Sequence, residues 1–458
     1  MILKSLCRSA RSVALCAVVL ASPMPASAAS LQDALVAAYL NSNLLEQNRA
    51  LLRASDEDVA IAFSALRPQV NGSASVNYSD QATGFGGGEL VSSINLGLDL
   101  LLYDGGNTRL GVEAAKETVL AARAQLLGLE QQVLLNAINA YLSVQRDMRT
   151  VSLQEGNLRL ITQELRAARD RFEVGEVTRT DVAQAEARLA QARGALAQAQ
   201  GDLAISRELY VATVGQKPGV LDAIRSLPAL PNSVAQARKL AEQNQPSIDQ
   251  AQHQISANEL NAARAQAAMR PNIRLNATAG HNSRVDNNSS IGLQLNVPIY
   301  QGGQLKALER RAFAQVHASR ANLNQVVLQV RQSVSDSWSQ LAVANAQLQA
   351  SERQIRAAEV AFEGVREEAK LGARTTLDVL DAEQALLDAR TNRVVFETQV
   401  FAAAYQLVSS MGLLTVSELR LPVKQYDPNE YFDAVKEAPV PRSKQGQKLD
   451  RILGRYQK

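Results

Sequence analysis

The chain has 458 residues, a formal charge of +3, two cysteines and only 4% aromatic residues. Few aromatics with abundant Ala, Gln, Leu and Arg is the composition of long packed helices, and it argues against a compact enzyme with an aromatic-rich core. A charge this close to neutral carries no nucleic-acid footprint, so no nucleic-acid partner is expected.

Lys4, Arg8 and Arg11 precede an apolar run from Val13 to Ala21, and Ala26-Ser27-Ala28 supplies a small-x-small cleavage site. This pattern predicts a secretory signal peptide over residues 1–28; the run is too short for a membrane helix. Cys7 and Cys16 both fall inside it, and Leu15 is not the small residue that a lipoprotein signal places before its cysteine. Cleavage removes three basic and no acidic residues, so the mature chain is expected to be neutral, without cysteine, disulfide or lipid anchor. No later stretch approaches about 20 consecutive apolar residues, the length of a membrane-spanning helix.

The remainder reads as a duplication. Residues 31–66 predict one helix, ended by Arg67-Pro68 because the residue before proline is pushed out of the α region. Val70, Gly72, Ala74, Val76 and Tyr78 then alternate with polar residues, and Ile94, Leu96, Leu98 and Leu100 do so after a polar, glycine-rich turn. These are two strands of a hairpin, each near the length a tilted membrane strand needs. Asp104-Gly105-Gly106 punctuates the chain before a helix of roughly 65 residues, close to 100 Å long. Gly175 turns it into another helix ending near Val214. A Pro-rich linker follows, and the order repeats: a helix over 233–269, Arg270-Pro271, a hairpin closed by Val297-Pro298, Gly302-Gly303, a long helix to Leu371, the turn at Gly372, and a last helix to Gly412. From the second strand onward the repeat holds at an offset of 197 residues.

The expected division is therefore a signal peptide (1–28), a first repeat (29–215, hairpin about 69–101), a linker (216–232), a second repeat (233–414, hairpin about 272–300) and a partly disordered tail (415–458). The first hairpin is six residues longer than the second, as expected of a loop exposed to solvent. The short helices stack end to end beside the long one, giving two coiled-coil columns per half. The fold class is mainly α with a β-barrel portion. Four strands cannot close a barrel, and open edges are not viable in lipid; three copies supply 12 strands, an even number in the bacterial range.

The duplicated order of Arg-Pro, hairpin, Tyr-x-Gly-Gly (Tyr103 to Gly106; Tyr300 to Gly303), long helix and Gly-x-x-Thr-x-x-Asp-Val (Gly175 to Val182; Gly372 to Val379) resembles the TolC family of outer-membrane efflux proteins. The resemblance covers about residues 30–430 and is strongest over Val297 to Gly303 and Gly372 to Asp381. It implies a homotrimer in outer-membrane lipid: a 12-stranded β-barrel continuous with a 12-helix α-barrel across the periplasm. The implied partners are a periplasmic adaptor and an inner-membrane ABC or RND transporter, with the turns at Gly175 and Gly372 as docking points. Tyr426 to Tyr431 is similar to the type I protein-secretion branch. Pro68, Gly105, Gly106, Pro271, Pro298, Gly302 and Gly303 mark the strand–helix junctions.

The resemblance also implies a gate at the periplasmic mouth. Residues matching Asp378 and Asp381 line it in the family, where Arg374 would reach the neighbouring coil near Asp181. The family's tyrosine in that latch is Ala369 here. Simpler readings stand beside these: Thr178-x-x-Asp181 and Thr375-x-x-Asp378 fit helix-start capping, and Arg374 fits a cation at a helix C-terminus. His253, His281 and His317 lack ligand spacing, so neither metal nor cofactor is expected. Gly84 to Gly88 lacks a dinucleotide fingerprint, Trp338 reads as packing, and no nucleophile–base pair stands out, so no enzyme is expected. The expected function is a passive exit duct for efflux or secretion; the alternative is a periplasmic coiled-coil scaffold or adaptor that makes no pore.

Overall fold

The computed structural model describes residues 30–79, 89–224, 226–283, 286–440 and 443–456. The expected signal peptide and the glycine run 84–88 lie outside the described residues. In chain order the elements are α1 (Leu31–Asn41), α2 (Asn43–Ser64), β1 (Gln69–Ser79), β2 (Glu89–Tyr103), α3 (Asn107–Glu173) and α4 (Arg179–Val214). There follow α5 (Val234–Asn244), α6 (Pro246–Ala267), β3 (Asn272–Asn282), β4 (Asp286–Asn296), α7 (Gln304–Lys370), α8 (Thr376–Ser410), α9 (Pro428–Val435) and α10 (Lys444–Tyr456). The elements α1, α2 and β1 recur as α5, α6 and β3 at an offset of 203, whereas α3 and α4 recur as α7 and α8 at 197. The difference of six falls between the strands of the two hairpins, where the connection is nine residues in one and three in the other.

The helix expected before each hairpin is broken, which corrects the reading of residues 31–66 and 233–269 as single helices. Ser42 leaves the helix at ψ 107° and restarts it, its hydroxyl accepting from the Leu45 amide at 3.3 Å. In the second half Pro246 occupies the first helical position, where its missing N–H costs nothing, and its ring holds Gln245 extended at ψ 118°. These interruptions let the short helices stack. The Asn41 side chain donates to the Val214 carbonyl at the end of α4 (3.1 Å). At the matching joint Gly412 comes so near α5 that an added Cβ would lie 2.3 Å from the Asn244 carbonyl oxygen.

The main core surrounds these joints. Leu35 and Tyr39 of α1, Leu134, Ile138 and Tyr141 of α3, Tyr210 of α4, Ala241 of α5, and Leu407 and Met411 of α8 are buried together there. Away from the joints the helices pair as coils, α3 with α4 and α7 with α8. Ala185, Ala192, Ala199 and Ser206 are buried on α4 at seven-residue spacing, a coiled-coil seam whose small residues permit close approach. At 1.5 Å per residue the 67-residue α3 and α7 are each roughly 100 Å long.

The tail, expected to be partly disordered, is folded over the described residues. Leu414, Val416 and Leu421 enter the main core, and the Tyr426 amide donates to the Tyr39 hydroxyl at 3.2 Å. Its prolines do not prevent this: Pro428 starts α9 under an Asp427 cap, where no amide donor is needed. Tyr431 donates to Glu57 on α2 at 2.6 Å, and Arg67, next to the hairpin, donates to the Ala438 carbonyl at 2.6 Å.

The four strands form one antiparallel sheet in the order β1-β2-β3-β4. Directly opposed residues share a face, so the register sorts the sequence alternation into two surfaces. Val70, Leu98, Ala277 and Ile291 lie side by side across the sheet, as do Gly72, Leu96, Ala279 and Ser289. Ile94, Ile291, Leu293 and Leu295 on this face are each more than 60% exposed. The opposite face carries Asn71, Asn95, Thr278, Asn276 and Gln294. β1 and β4 are open edges in the single chain. No helix among the described residues is long and apolar enough to cross a membrane.

Candidate gate and docking turns

Both interhelical turns lie at the end of the coils remote from the sheet, and both are built the same way. Gly175 and Gly372 adopt φ 78°, a left-handed conformation that ends a helix cheaply only in glycine. Around them the Glu176 amide reaches back to the Arg171 carbonyl and the Ala373 amide to Glu368, each at 2.9 Å. Each turn then starts the next helix with a threonine. The Thr178 amide and hydroxyl donate to Asp181 at 2.9 and 2.8 Å, and Thr375 does the same to Asp378 at 2.9 and 2.9 Å. Val174 and Leu371, at matched positions in the two halves, are 72% and 86% exposed.

The four residues expected at the gate are all brought to this end. Asp181 and Asp378 are the acidic members of their capping boxes. The two Thr375 hydrogen bonds, backbone first, hold the Asp378 carboxyl below the usual carboxylate range, with Arg374 adding to the effect. Arg374 pairs with Glu368 on its own side of the turn, Nε to Oε2 at 2.9 Å, and does not bridge to Asp181 within the chain. That hydrogen bond pushes the Arg374 guanidinium further above its ordinary range. Within the single chain Arg374 takes Glu368 because that carboxylate lies in the last turn of α7, already within reach.

Asp381 is engaged by a residue that the sequence reading missed. Arg188 of α4 forms a short ion pair with it, tying the first coil directly to the second. Higher up, Arg149 of α3 reaches Glu397 of α8 at 3.1 Å. Neither arginine had a local signal, since the repeat offset pairs like with like and says nothing about which coil abuts which. Arg169–Glu186 at 2.5 Å joins α3 to α4, and Arg390–Glu359 at 2.9 Å joins α7 to α8.

At the opposite end, each strand-to-helix junction uses paired glycines with positive φ: Gly105 and Gly106 at 67° and 91°, Gly302 and Gly303 at 57° and 84°. Arg270, just before Pro271, donates to the Gly105 carbonyl at 2.9 Å, packed so closely that any side chain at 105 would collide with it. The first-half Arg67-Pro68 pair holds the tail instead. Pro298 follows β4, where no further ladder amide is required. His253 pairs with Glu117 at 2.8 Å.

The description "Outer membrane efflux protein" matches residues 34–215 and 237–413, most of the chain and both of its halves. The chain belongs to this family. It is 37% identical to the outer membrane efflux protein BepC of Brucella suis over 416 residues, 89% of this chain and 91% of BepC. It is 28% identical to the outer membrane protein TolC of Vibrio cholerae, over 80% and 86% of the two chains. With the alkaline protease secretion protein AprF of Pseudomonas aeruginosa the identity is 26%, over 72% and 71%. Its fold superimposes on a crystal structure of CusC with a TM-score of 0.75, covering 83% of this chain and 92% of that one at 20% identity. The chain is thus a TolC-family outer-membrane protein with a channel-tunnel role, and its family and structural neighbours are channels.

Proposed function

We propose that three copies of this efflux-family chain close side by side into a duct through the outer membrane and across the periplasm. The observation carrying this reading is the four-stranded sheet with one continuous apolar face, one polar face and two open edges. Such a sheet is stable in lipid only when its edges are paired, and three copies give 12 strands with the polar face lining the lumen. A pore-free scaffold would have no use for exposed Ile94, Ile291, Leu293 and Leu295. The duct is passive. Its turns at Gly175 and Gly372, tipped by Val174 and Leu371, dock a periplasmic adaptor, and an inner-membrane ABC or RND transporter supplies cargo and energy. BepC is named for efflux and AprF for protease secretion, so cargo is set by the transporter that the duct meets.

The gate lies at the turn end. Asp378 and Asp381 from three copies form a cation-attracting ring. Arg188 holds Asp381 across the coils, and Arg374 with Asp181 stands at the rim where neighbouring copies meet. Mass measurement in mild detergent should give about three protomers, and the purified protein should conduct in planar bilayers. A stable membrane-inserted monomer, or protein that never conducts, sinks the duct reading.

A further inference from the structure

The two halves place a glutamate at the same position of the same helix, and only one of them is solvated. Glu186 of α4 is exposed and ion-paired with Arg169 of α3. Its counterpart 197 residues later, Glu383 of α8, is 4% exposed, and neither carboxylate oxygen has a hydrogen-bond partner. The counterpart of Arg169 is Arg366, which is exposed and leaves Glu383 without a hydrogen bond.

Glu383 lines a cavity of about 590 Å³ between α3, α7 and α8. That volume is in the range of sites for small organic ligands, about 300–1,000 Å³. Leu153 and Leu160 of α3, Phe362 of α7 and Leu386 of α8 form apolar walls. Among the charged lining residues, Arg390 is taken by Glu359 at 2.9 Å. Glu363, Arg366 and Glu383 remain, and Glu164 of α3 adds a further negative charge facing Glu383. The ionised cavity is therefore short of positive charge where it is most enclosed. Burial first, and Glu164 second, push the Glu383 carboxyl up to about 7 against the opposing pull of Arg366. A buried carboxylate without a partner is unfavourable, and either a proton or a bound cation relieves it.

We propose that this cavity binds an amphiphilic organic monocation, with its ammonium group on Glu383 and its apolar body against Phe362, Leu160 and Leu386. The walls select this class over a metal ion: among the described residues no three carboxylates or imidazoles come together to hold a hard cation, and the leucines and phenylalanine supply no oxygen ligand. Mass and volume select a body of one or two rings. The site is separate from the gate carboxylates and does not require the duct reading, since binding is measured on purified protein whether or not it conducts.

The test is equilibrium dialysis of the full chain in mild detergent against 1-naphthylmethylammonium, with 1-naphthalenemethanol as the neutral probe of the same shape. At about pH 8 the cation should bind saturably, one per chain and at least tenfold tighter than the alcohol, because a charge-assisted hydrogen bond is available only to the cation. The amine stays protonated between about pH 5.5 and 8 while Glu383 does not stay ionised, so affinity for the cation should fall at least tenfold toward the acid end. Glu383→Gln should abolish the preference for the cation over the alcohol, and Glu186→Gln should leave it intact. Leu160→Trp fills the apolar wall with the carboxyl in place and should weaken both probes. Equal binding of the two probes, absence of saturation, or a cation preference that survives Glu383→Gln overturns the proposal; titration of Glu383 by protons alone, without cation binding, does so too.

Discussion

α3 and α7 are the same helix twice, 67 residues each at an offset of 197, yet they live in different surroundings. Among the described residues α3 buries twenty and α7 eight, because α3 packs on α1, α2, α4, α6 and α8 while α7 packs chiefly on α5, α6 and α8. The centre of the single chain is therefore α3. α7 is a flank, with Leu328 and Val360 at 57% and 72% exposure, and α4 shows a similar free flank at Ile205. Duplication fixed the backbone twice, and the neighbours that each version meets within the chain decide which of its side chains are buried. The buried Glu383 and the solvated Glu186 are the same lesson in one residue.

That comparison breaks most visibly at the flank. Leu328→Glu with Val360→Glu should abolish the three-protomer species in mild detergent while leaving helical content by circular dichroism unchanged. If assembly survives, α7 does not face a neighbouring copy. The joints give the next largest effect. Gly215 and Gly412 have nearly the same φ, 81° and 79°, but an added Cβ meets the Asn41 side chain, its Cβ at 2.6 Å, at one and the Asn244 backbone, its carbonyl oxygen at 2.3 Å, at the other. Gly412→Ala should cost about 2–4 kcal/mol by combining left-handed strain with overpacking. Gly215→Ala should cost about 1–3 kcal/mol, since rotation frees the Asn41 amide and the Asn41 Cβ still has to give way. Thermal unfolding in detergent distinguishes them.

The matched glutamates sharpen the comparison through pH. A carboxyl raised to about 7 in the folded chain holds its proton longer than the unfolded chain does. Its contribution is therefore favourable at acid pH and is lost as pH rises from the ordinary carboxylate range through about 7. Glu383→Gln should remove this loss, raising stability at pH 8 by roughly 1–3 kcal/mol with little change at pH 5. Glu186→Gln should not alter the profile. The smallest effect belongs to the ties at the gate. An exposed ion pair contributes only about 0.2–1 kcal/mol, so Arg188→Ala should open the duct partially and Arg188→Ala with Arg374→Ala more so, read as single-channel conductance. Asp378→Asn with Asp381→Asn should lower cation selectivity more than it changes closure. Unchanged conductance in the arginine double variant would place the latch elsewhere.

What the sequence made legible was what depends on near neighbours in the chain. The turns at Gly175 and Gly372, their Thr–Asp boxes and the alternating strands follow from local chemistry, although β4 begins at Asp286, ahead of its apolar alternation, and pairs Asn287, Asn288 and Ser289 with β3. Pro246 was equally local but was lost inside a long apolar-periodic stretch, and Ser42 gave even less signal, being a residue that helices tolerate. The packing of the tail gave no local signal because it is buried against α1, α2 and α3, more than 280 residues away. Arg188 and Glu383 were missed for the same reason: their partners, or lack of them, depend on how one coil abuts the other.

The joints have a mechanical consequence. The Gln131 side chain donates to the Gly412 carbonyl at 2.9 Å, which marks the level where α8 ends against the unbroken shaft of α3. From that level to the tip at Glu173 the shaft runs about 42 residues, or ~63 Å. With a lever arm of ~63 Å, a tilt of only ~9° about the joints sweeps the tip sideways by ~10 Å. Half of the columns are already cut at the fulcrum, so such a tilt need bend only α3 and α7, by an amount within the gentle curvature that long helices adopt without a kink.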